Sequence, residues 1–195
     1  DHIATKKTVG LKFGLNVKSL LFIGVGMVVI IITSLIVANA VTSGQRQPLE
    51  TLAARLASAE ELAAESQGNL SSSELRSANS NLNIVLTNTN RDIVQPLKNA
   101  GVNTGKLSRS VLDKESSAGA IDRLEDARLN GVFDRVYARE MNYILSSTIA
   151  LIKELEQTRS QASLLEFLNA TRNNLEPIQS TLESFGNELF SATKR

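Results

Sequence analysis

LLFIGVGMVVIIITSLIVA, residues 20–38, is almost continuously apolar and decides how the rest of the chain is organised. It lies inside a longer stretch, Ser19 to Gln45, that carries no charged side chain. A helix of 19 residues that rises about 1.5 Å per residue spans roughly 30 Å, the thickness of the hydrocarbon core of a bilayer. The stretch therefore predicts a single N-terminal transmembrane helix over residues 19–40, with the lipid bilayer as its partner.

Charge on the two sides of this helix predicts its orientation. Four lysines and one aspartate lie in residues 1–40, which gives that part a formal charge of +3. The four lysines are Lys6, Lys7, Lys12 and Lys18. Because membrane helices keep the more basic flank inside the cell, residues 1–18 are expected to form a cytoplasmic tail. The C-terminal part is then expected to lie outside the cytoplasm, at the cell membrane.

The same apolar run is also compatible with a cleavable signal peptide. Ala38-Asn39-Ala40 has the small-x-small spacing of a cleavage site, so an exported soluble protein produced by cleavage at Ala40 is an alternative. The run is longer than the about 7–15 apolar residues of a signal peptide, which favours a retained anchor. A helix buried in a soluble core is the third interpretation. The two favoured interpretations both place residues 41–195 outside the cytoplasm.

Composition limits what the outer part can do. Residues 41–195 hold 17 basic and 19 acidic side chains, which is not the basic surface of a nucleic-acid binder. The chain has no cysteine, and its one histidine, His2, lies in the predicted cytoplasmic tail. Thiol chemistry, imidazole catalysis and Cys- or His-ligated metals are therefore excluded for the outer part. No cofactor is expected.

Apolar residues spaced three and four apart predict helices after a polar linker at residues 41–48. One helix is expected from Leu49 to Ser66, and a second begins at Ser71, where Ser71 and Glu74 have capping-box spacing. A long stretch follows from about Ile121 to Arg159, which Gly131 is expected to kink or divide, and a last helix begins at Ser163. Residues 49–195 are thus predicted to be all-α, an antiparallel bundle of about four helices.

The second predicted helix carries an unusual polar face. Asparagine and serine are weak helix formers, yet they fill the side opposite the apolar seam between Ser77 and Asn90. Ordinary solvated surface is the simpler interpretation of this face. If the bundle binds a protein partner or a second copy of the chain, this face is the predicted site. The candidate partner residues are Ser77, Asn81, Asn83 and Asn88.

Carboxylate clusters are the remaining candidates for chemistry. The densest are Glu60-Glu61, Asp122 with Glu125 and Asp126, and Glu154 with Glu156. Hydrolytic or di-iron sites need carboxylates inside a bundle, whereas these lie among polar residues on predicted solvent faces. No catalytic residue and no metal ligand is expected, and the protein is predicted not to be an enzyme.

FDRVYAREM, residues 133–141, together with LEPI at residues 175–178, resembles a family of small exported bacterial proteins of unknown function with a ferritin-like helical bundle. Members of that family carry F-D-x-x-Y-x-x-x-M followed by a histidine, and a Leu-Pro turn near the last helix. Here Leu145 stands at the histidine position and Glu176 separates Leu175 from Pro177. The resemblance implies fold and export, and no metal chemistry.

The order of segments is also similar to the front end of bacterial chemoreceptors, in which a basic tail and a membrane helix precede an outer four-helix bundle. Such receptors return through a second membrane helix, and no second apolar run precedes Arg195. The expected function is therefore a membrane-anchored extracytoplasmic bundle with a binding or structural role at the cell envelope. The alternatives are the ligand-sensing domain of a truncated transducer and a self-associating lattice subunit.

Overall fold

This computed structural model describes residues 46–192, with side chains described through Gly186. The predicted tail and transmembrane helix, residues 1–40, lie outside this range. Within it all regular structure is helical, so the prediction of an all-α fold is confirmed for the described residues. The helices are α1 (residues 46–66), α2 (Ser73–Asp92), α3 (Val94–Asn99), α4 (Arg109–Lys114), α5 (Ala118–Leu129), α6 (Phe133–Thr158) and α7 (Ala162–Ala192), with a 3-10 turn at Thr104–Lys106.

The four long helices are α1, α2, α6 and α7, and the first two run antiparallel. The Asn79 side-chain amide of α2 donates to the carbonyl oxygen of Ala63 at 2.9 Å, and the Asn90 amide donates to that of Leu56 at 3.1 Å. The residue number in α1 falls as the number in α2 rises. Residues 67–72 alone connect the two helices, and such a short connection suits an antiparallel pair of neighbours.

Helices α6 and α7 form a second antiparallel pair, joined by residues 159–161. The Gln179 amide donates to the side-chain oxygen of Asn142 at 2.8 Å, and the Arg172 guanidinium contacts Glu156 at 3.2 Å. Helix α7 also packs against α2 and α3. It therefore lies beside both α6 and α2.

Contacts between α1 and α6 fix the direction of the second pair. Arg55 donates to the carbonyl oxygen of Ser147 at 3.0 Å, while Asn79 bridges Ala63 to Tyr137. Helix α6 thus runs antiparallel to α1, and α7 runs parallel to α1. As a result, α1 begins at one end of the bundle and α7 ends at the other.

Residues 93–132 cross from the end of α2 to the start of α6, which lie at opposite ends of the bundle. This crossover follows α1: Ser108, before α4, donates its hydroxyl to Glu50 at 2.7 Å, and Ser117, before α5, donates to Glu61. Helix α5 then packs on α6. The crossover therefore covers the groove between α1 and α6 along the length of the bundle.

The predicted apolar seams form the core. In α1 the apolar residues spaced three and four apart are buried, and in α6 Phe133, Tyr137 and Met141 are buried. The seam of α7 is buried from Leu164 to Leu182, with Phe185 half-buried. Buried seam residues of α1 and α2 are Leu49, Leu52, Ala53, Leu56, Ala59, Ala63, Leu75, Leu82, Thr89 and Ile93.

The start of α2 differs from the predicted capping box. Ser72 is the N-cap, and its hydroxyl accepts from the Leu75 N–H at 3.4 Å, so the prediction that Ser71 caps the helix is wrong by one residue. The N–H groups of Ser71 and Ser72 instead donate to the two carboxylate oxygens of Asp134, at 2.9 and 2.7 Å. A carboxylate from the start of α6 satisfies them, because the two helices begin at the same end.

Two residues that disfavour a helix, Gly131 and Pro177, act differently. Gly131 divides the long predicted stretch into α5 and α6, and its φ of 69° is a left-handed conformation that suits glycine. Pro177, in contrast, lies inside the continuous helix α7. The linker prediction also needs correction, because Pro48 lies within α1.

Residues 46–192 belong to one compact unit. Among residues 46–192, no helix is both long enough and apolar enough to cross a membrane.

Candidate partner-binding surfaces

The predicted partner face of α2 borders a groove against α7. Ser77 and Asn81 are exposed and line an open cavity of about 380 Å³. The remaining walls come from both helices: Glu74 and Ala78 of α2, and Pro177, Ile178 and Thr181 of α7. Small side chains on both sides leave the groove wide. We call this cavity the α2–α7 groove.

The other two predicted residues lie further along α2. Asn88 is exposed, whereas Asn83 is half-buried, and neither lines the groove. The structure therefore brings two of the four predicted residues together. None of the four side chains makes a hydrogen bond within the described part of the chain. Their donors and acceptors remain available at the surface.

Two asparagines that the sequence placed on the same polar face serve the core instead. Asn79 is fully buried, and Asn90 donates to the backbone of Leu56 and to the carboxylate of Glu60. The prediction that the asparagines of this face lie opposite the apolar seam is wrong for both. The reason is geometric: on a helical wheel they lie on the side of α2 that faces α1, not on the side that faces solvent.

A second cavity, which the sequence did not reveal, lies between α1, α6 and the connection from α4 to α5. It measures about 360 Å³, and we call it the charged cleft. Charged residues from four separate segments line it, together with the exposed ring of Tyr143. These charged residues are Arg55, Lys114, Glu115, Arg123 and Glu140.

Arg55 connects segments that line the charged cleft. Its Nε donates to the Glu115 carboxylate at 2.8 Å, and its Nη1 donates to the Ser147 carbonyl oxygen at 3.0 Å. The Glu115 side chain is 9 % exposed, so the pair is largely shielded from water. One guanidinium thereby joins α1, α6 and the crossover.

Glu140 lies on the α6 wall between two arginines. Burial alone would raise the pKa of the Glu140 carboxyl, but hydrogen bonds from Arg123 and Arg139 outweigh burial and hold the pKa below its usual value. The hydrogen bond to Glu140 in turn raises the pKa of Arg123. The Arg123–Glu140 distance is 2.8 Å. Glu140 therefore stays ionised at neutral pH, which does not suit a general acid.

The carboxylates near these surfaces contact neighbouring side chains of the bundle. Within residues 46–186, no group of histidine, cysteine, aspartate or glutamate side chains is arranged to hold a metal ion. The clustered carboxylates bind neighbouring side chains: Glu60 accepts from Thr87 and Asn90, and Glu125 accepts from Arg128. Glu60 is half-buried and Glu125 is exposed, and both carboxylates are engaged within the bundle.

The charged cleft could not be found from the sequence because its members are far apart. Arg55 and Glu115 are separated by 60 residues, and Arg123 and Glu140 by 17. Only residues 115–117 connect α4 to α5. That short connection holds one charged residue, Glu115, and a single charge has no periodic pattern.

Searches against family models, curated proteins and solved structures gave no match to this chain. The resemblances to the exported ferritin-like family and to chemoreceptors therefore stay predictions.

Proposed function

We propose that the chain is a membrane-anchored, extracytoplasmic helical bundle that binds a protein partner at the cell envelope. The anchor in this proposal is the apolar run of residues 20–38, with the lysine-rich tail on the cytoplasmic side. The antiparallel helices form a scaffold outside the membrane. The partner meets the outer face of α2 and the α2–α7 groove.

One observation supports the partner surface most. Asn79 and Asn90 use their amides inside the bundle, whereas Ser77, Asn81 and Asn88 are exposed and make no hydrogen bond with the described residues. Exposed asparagine weakens a helix by about 0.5 kcal/mol relative to alanine. These residues beside an open groove therefore lower the stability of α2, and contacts with a bound partner would offset that loss.

The topology favours a binding module over the sensing domain of a transducer. Helix α1 begins at one end of the bundle and α7 ends at the other, a separation of about 45 Å for a helix the length of α7. A receptor that re-enters the membrane directly after its last helix needs both at the same end. For this chain, such a return would need a further connection that spans the bundle.

Two other interpretations remain open to direct tests. An exported soluble form would begin at Val41 after cleavage at Ala40, which mass spectrometry of the mature N-terminus detects. A lattice subunit would self-associate, which sedimentation of the purified protein detects. A monomer at micromolar concentration would argue against the lattice.

Photo-crosslinking in intact cells tests the partner surface. A photoreactive amino acid placed at Asn81 is expected to give a discrete adduct with a second protein. The matched control is Asn173, an exposed asparagine of α7 that does not line the groove. Identical patterns from the two positions, or no adduct from Asn81, would remove the proposed surface.

A variant with Ser77, Asn81, Asn83 and Asn88 all replaced by alanine completes the test. It should lose the adduct from a second photoreactive position in the groove, Thr181. Its thermal stability should be equal to or slightly above that of the parent, because alanine favours helix. An adduct that persists in this variant would contradict a role for these side chains.

A further inference from the structure

Two adjoining cavities lie at the end of the bundle where α1 ends and α6 begins. The inner chamber, about 90 Å³, lies between α1 and α5. The outer chamber, about 410 Å³, lies between the α1–α2 connection and the turn at Gly131. Asn69 and Phe133 stand in the walls of both chambers, so the two meet at this pair.

The inner chamber holds a buried hydroxyl that lacks a partner. Ser66 is 2 % exposed and lines the chamber, and its Oγ makes no hydrogen bond within the described part of the chain. Such a group is unfavourable and rare in folded proteins. Leu62, Leu124 and Phe133 form the apolar part of the chamber wall, and Glu65, Asn69 and Glu125 form the polar part.

The outer chamber holds a cation whose charge is not neutralised. Arg135 lines it, is half-buried, and forms no ion pair with the described residues. The other charged side chains of the outer chamber are already engaged: Arg128 binds Glu125 at 2.6 Å, and Asp134 accepts from two N–H groups at the start of α2. The available charge in this chamber is therefore positive.

We propose that the two chambers bind one small molecule, a short-chain carboxylate that carries a hydroxyl at its far end. The carboxylate pairs with Arg135 in the outer chamber. The hydrocarbon chain passes Phe133 and lies against Leu62 and Leu124. The terminal hydroxyl enters the inner chamber and hydrogen-bonds with Ser66. This site is separate from the α2–α7 groove and does not depend on the proposed partner.

Three probes of matched length test the site on the unmodified 195-residue chain in detergent. They are 6-hydroxyhexanoate, hexanoate, which lacks the hydroxyl, and 1-hexanol, which lacks the carboxylate. Ligand-detected NMR titration, corrected for binding to empty micelles, gives the three dissociation constants. We expect 6-hydroxyhexanoate to bind about fivefold to tenfold more tightly than either of the others, since each lost end group removes one hydrogen bond or ion pair.

Two variants assign the ends of the ligand. Ser66→Ala should weaken 6-hydroxyhexanoate to the level of hexanoate and leave hexanoate unchanged. Arg135→Gln should weaken both carboxylates and leave 1-hexanol unchanged. The matched control is Arg76→Gln, an exposed arginine of α2 outside both chambers, which should change none of the three constants.

Several results would overturn the proposal. Equal affinities for the three probes, or no binding of 6-hydroxyhexanoate at millimolar concentration, would remove it without any variant. Binding that Ser66→Ala and Arg135→Gln leave unchanged would place the ligand elsewhere. If a variant failed to fold, the ranking of the probes on the unmodified chain would still decide the outcome.

Discussion

The Tyr137 hydroxyl of α6 donates a hydrogen bond to the side-chain oxygen of Asn79 of α2, and both residues are fully buried. The Asn79 amide donates in turn to the carbonyl oxygen of Ala63 and to the side chain of Gln67. Three helices therefore share one polar connection inside a mostly apolar core. Such a connection fixes register, because sliding any one helix would leave buried polar groups unpaired.

Asparagine to alanine substitutions at two positions of α2 should act in opposite directions. Asn79→Ala leaves the Tyr137 hydroxyl unpaired in the core and should lower the free energy of unfolding by about 2–4 kcal/mol. Asn88→Ala removes an exposed weak helix former and should raise that free energy by about 0.5 kcal/mol. Urea denaturation of both variants measures the difference. Equal effects would show that Asn79 does not hold the core together.

Tyr137 should make the stability of the bundle depend on pH in the alkaline range. Desolvation by burial raises the pKa of the Tyr137 hydroxyl well above its usual value of about 10 in the unfolded chain. Its contribution is fully present below pH 10 and is lost as the pH rises above that, because the unfolded state then releases a proton that the folded state retains.

Tyr137→Phe should remove this dependence. At neutral pH the substitution should cost about 1–2 kcal/mol, since the oxygen of Asn79 loses its donor. Urea unfolding at pH 8 and at pH 10.5 should show a smaller alkaline loss of stability in the variant than in the parent. An equal loss in both proteins would mean that another group causes it.

The spacing of apolar residues along each helix was predictable from the sequence, whereas the polar contacts between helices were not. Leucine spacing in α1 and α2 depends on a local period of 3.6, so Leu52 and Leu82 could be assigned to the core from sequence alone. Asn79 lies on the same side of α2 as these leucines, but its polarity led to its assignment to the surface. Its burial depends on Tyr137, which is 58 residues away, and no local period reports such a partner.

Glu140 should make the protein sensitive to acid. Hydrogen bonds from Arg123 and Arg139 hold the pKa of the Glu140 carboxyl below its usual value despite the opposing effect of burial. Its contribution is therefore present above the unfolded pKa of about 4.5 and is lost as the pH falls below it. Glu140→Gln should cost about 1 kcal/mol at pH 7, since the two arginines are more than half exposed.

The cost of Glu140→Gln should shrink as the pH falls from 7 to 3, measured by urea unfolding at each pH. Glu154→Gln is the control, because that exposed residue of α6 forms no ion pair in the described structure. It should leave stability unchanged at both pH values. A cost for Glu140→Gln that stayed constant with pH would contradict the ionic role.

Arg55 should hold the crossover against the four long helices. Arg55→Gln removes the ion pair to Glu115 and weakens the contact with the Ser147 carbonyl oxygen. We expect a loss of about 2 kcal/mol and faster amide hydrogen exchange in residues 113–119. Arg109→Gln is the control, since its pair with Asp113 is exposed and long at 3.9 Å. Unchanged exchange in Arg55→Gln would contradict this role.

Gly131 and Gly68 should respond differently to alanine. The φ of 69° at Gly131 is unfavourable for a residue with a Cβ, so Gly131→Ala should cost about 1–2 kcal/mol. Gly68 has no positive φ, and an added Cβ would meet no atom within 4 Å, so Gly68→Ala should change stability little. Thermal unfolding of the two variants tests whether the turn depends on the left-handed conformation.

The candidate sites show the same limit of sequence analysis. Ser77 and Asn81 were predictable as surface residues because polarity and helical period agree. The groove beside them was not, because Pro177 and Thr181 reach α2 only through the packing of α7. Ser66 likewise gave no indication of a cavity, since its burial depends on where the crossover places Leu124 and on the position of Phe133.

Cysteine labelling in intact cells tests the central claim most directly, because the chain has no cysteine of its own. Single substitutions Ser110→Cys, at an exposed position of α4, and Thr5→Cys, in the predicted tail, would be treated with a membrane-impermeant maleimide. An anchored extracytoplasmic bundle predicts labelling of S110C in intact cells and of T5C only after lysis, with both proteins in the membrane fraction. Labelling of S110C only after lysis, or recovery of the uncleaved chain in the soluble fraction, would contradict it.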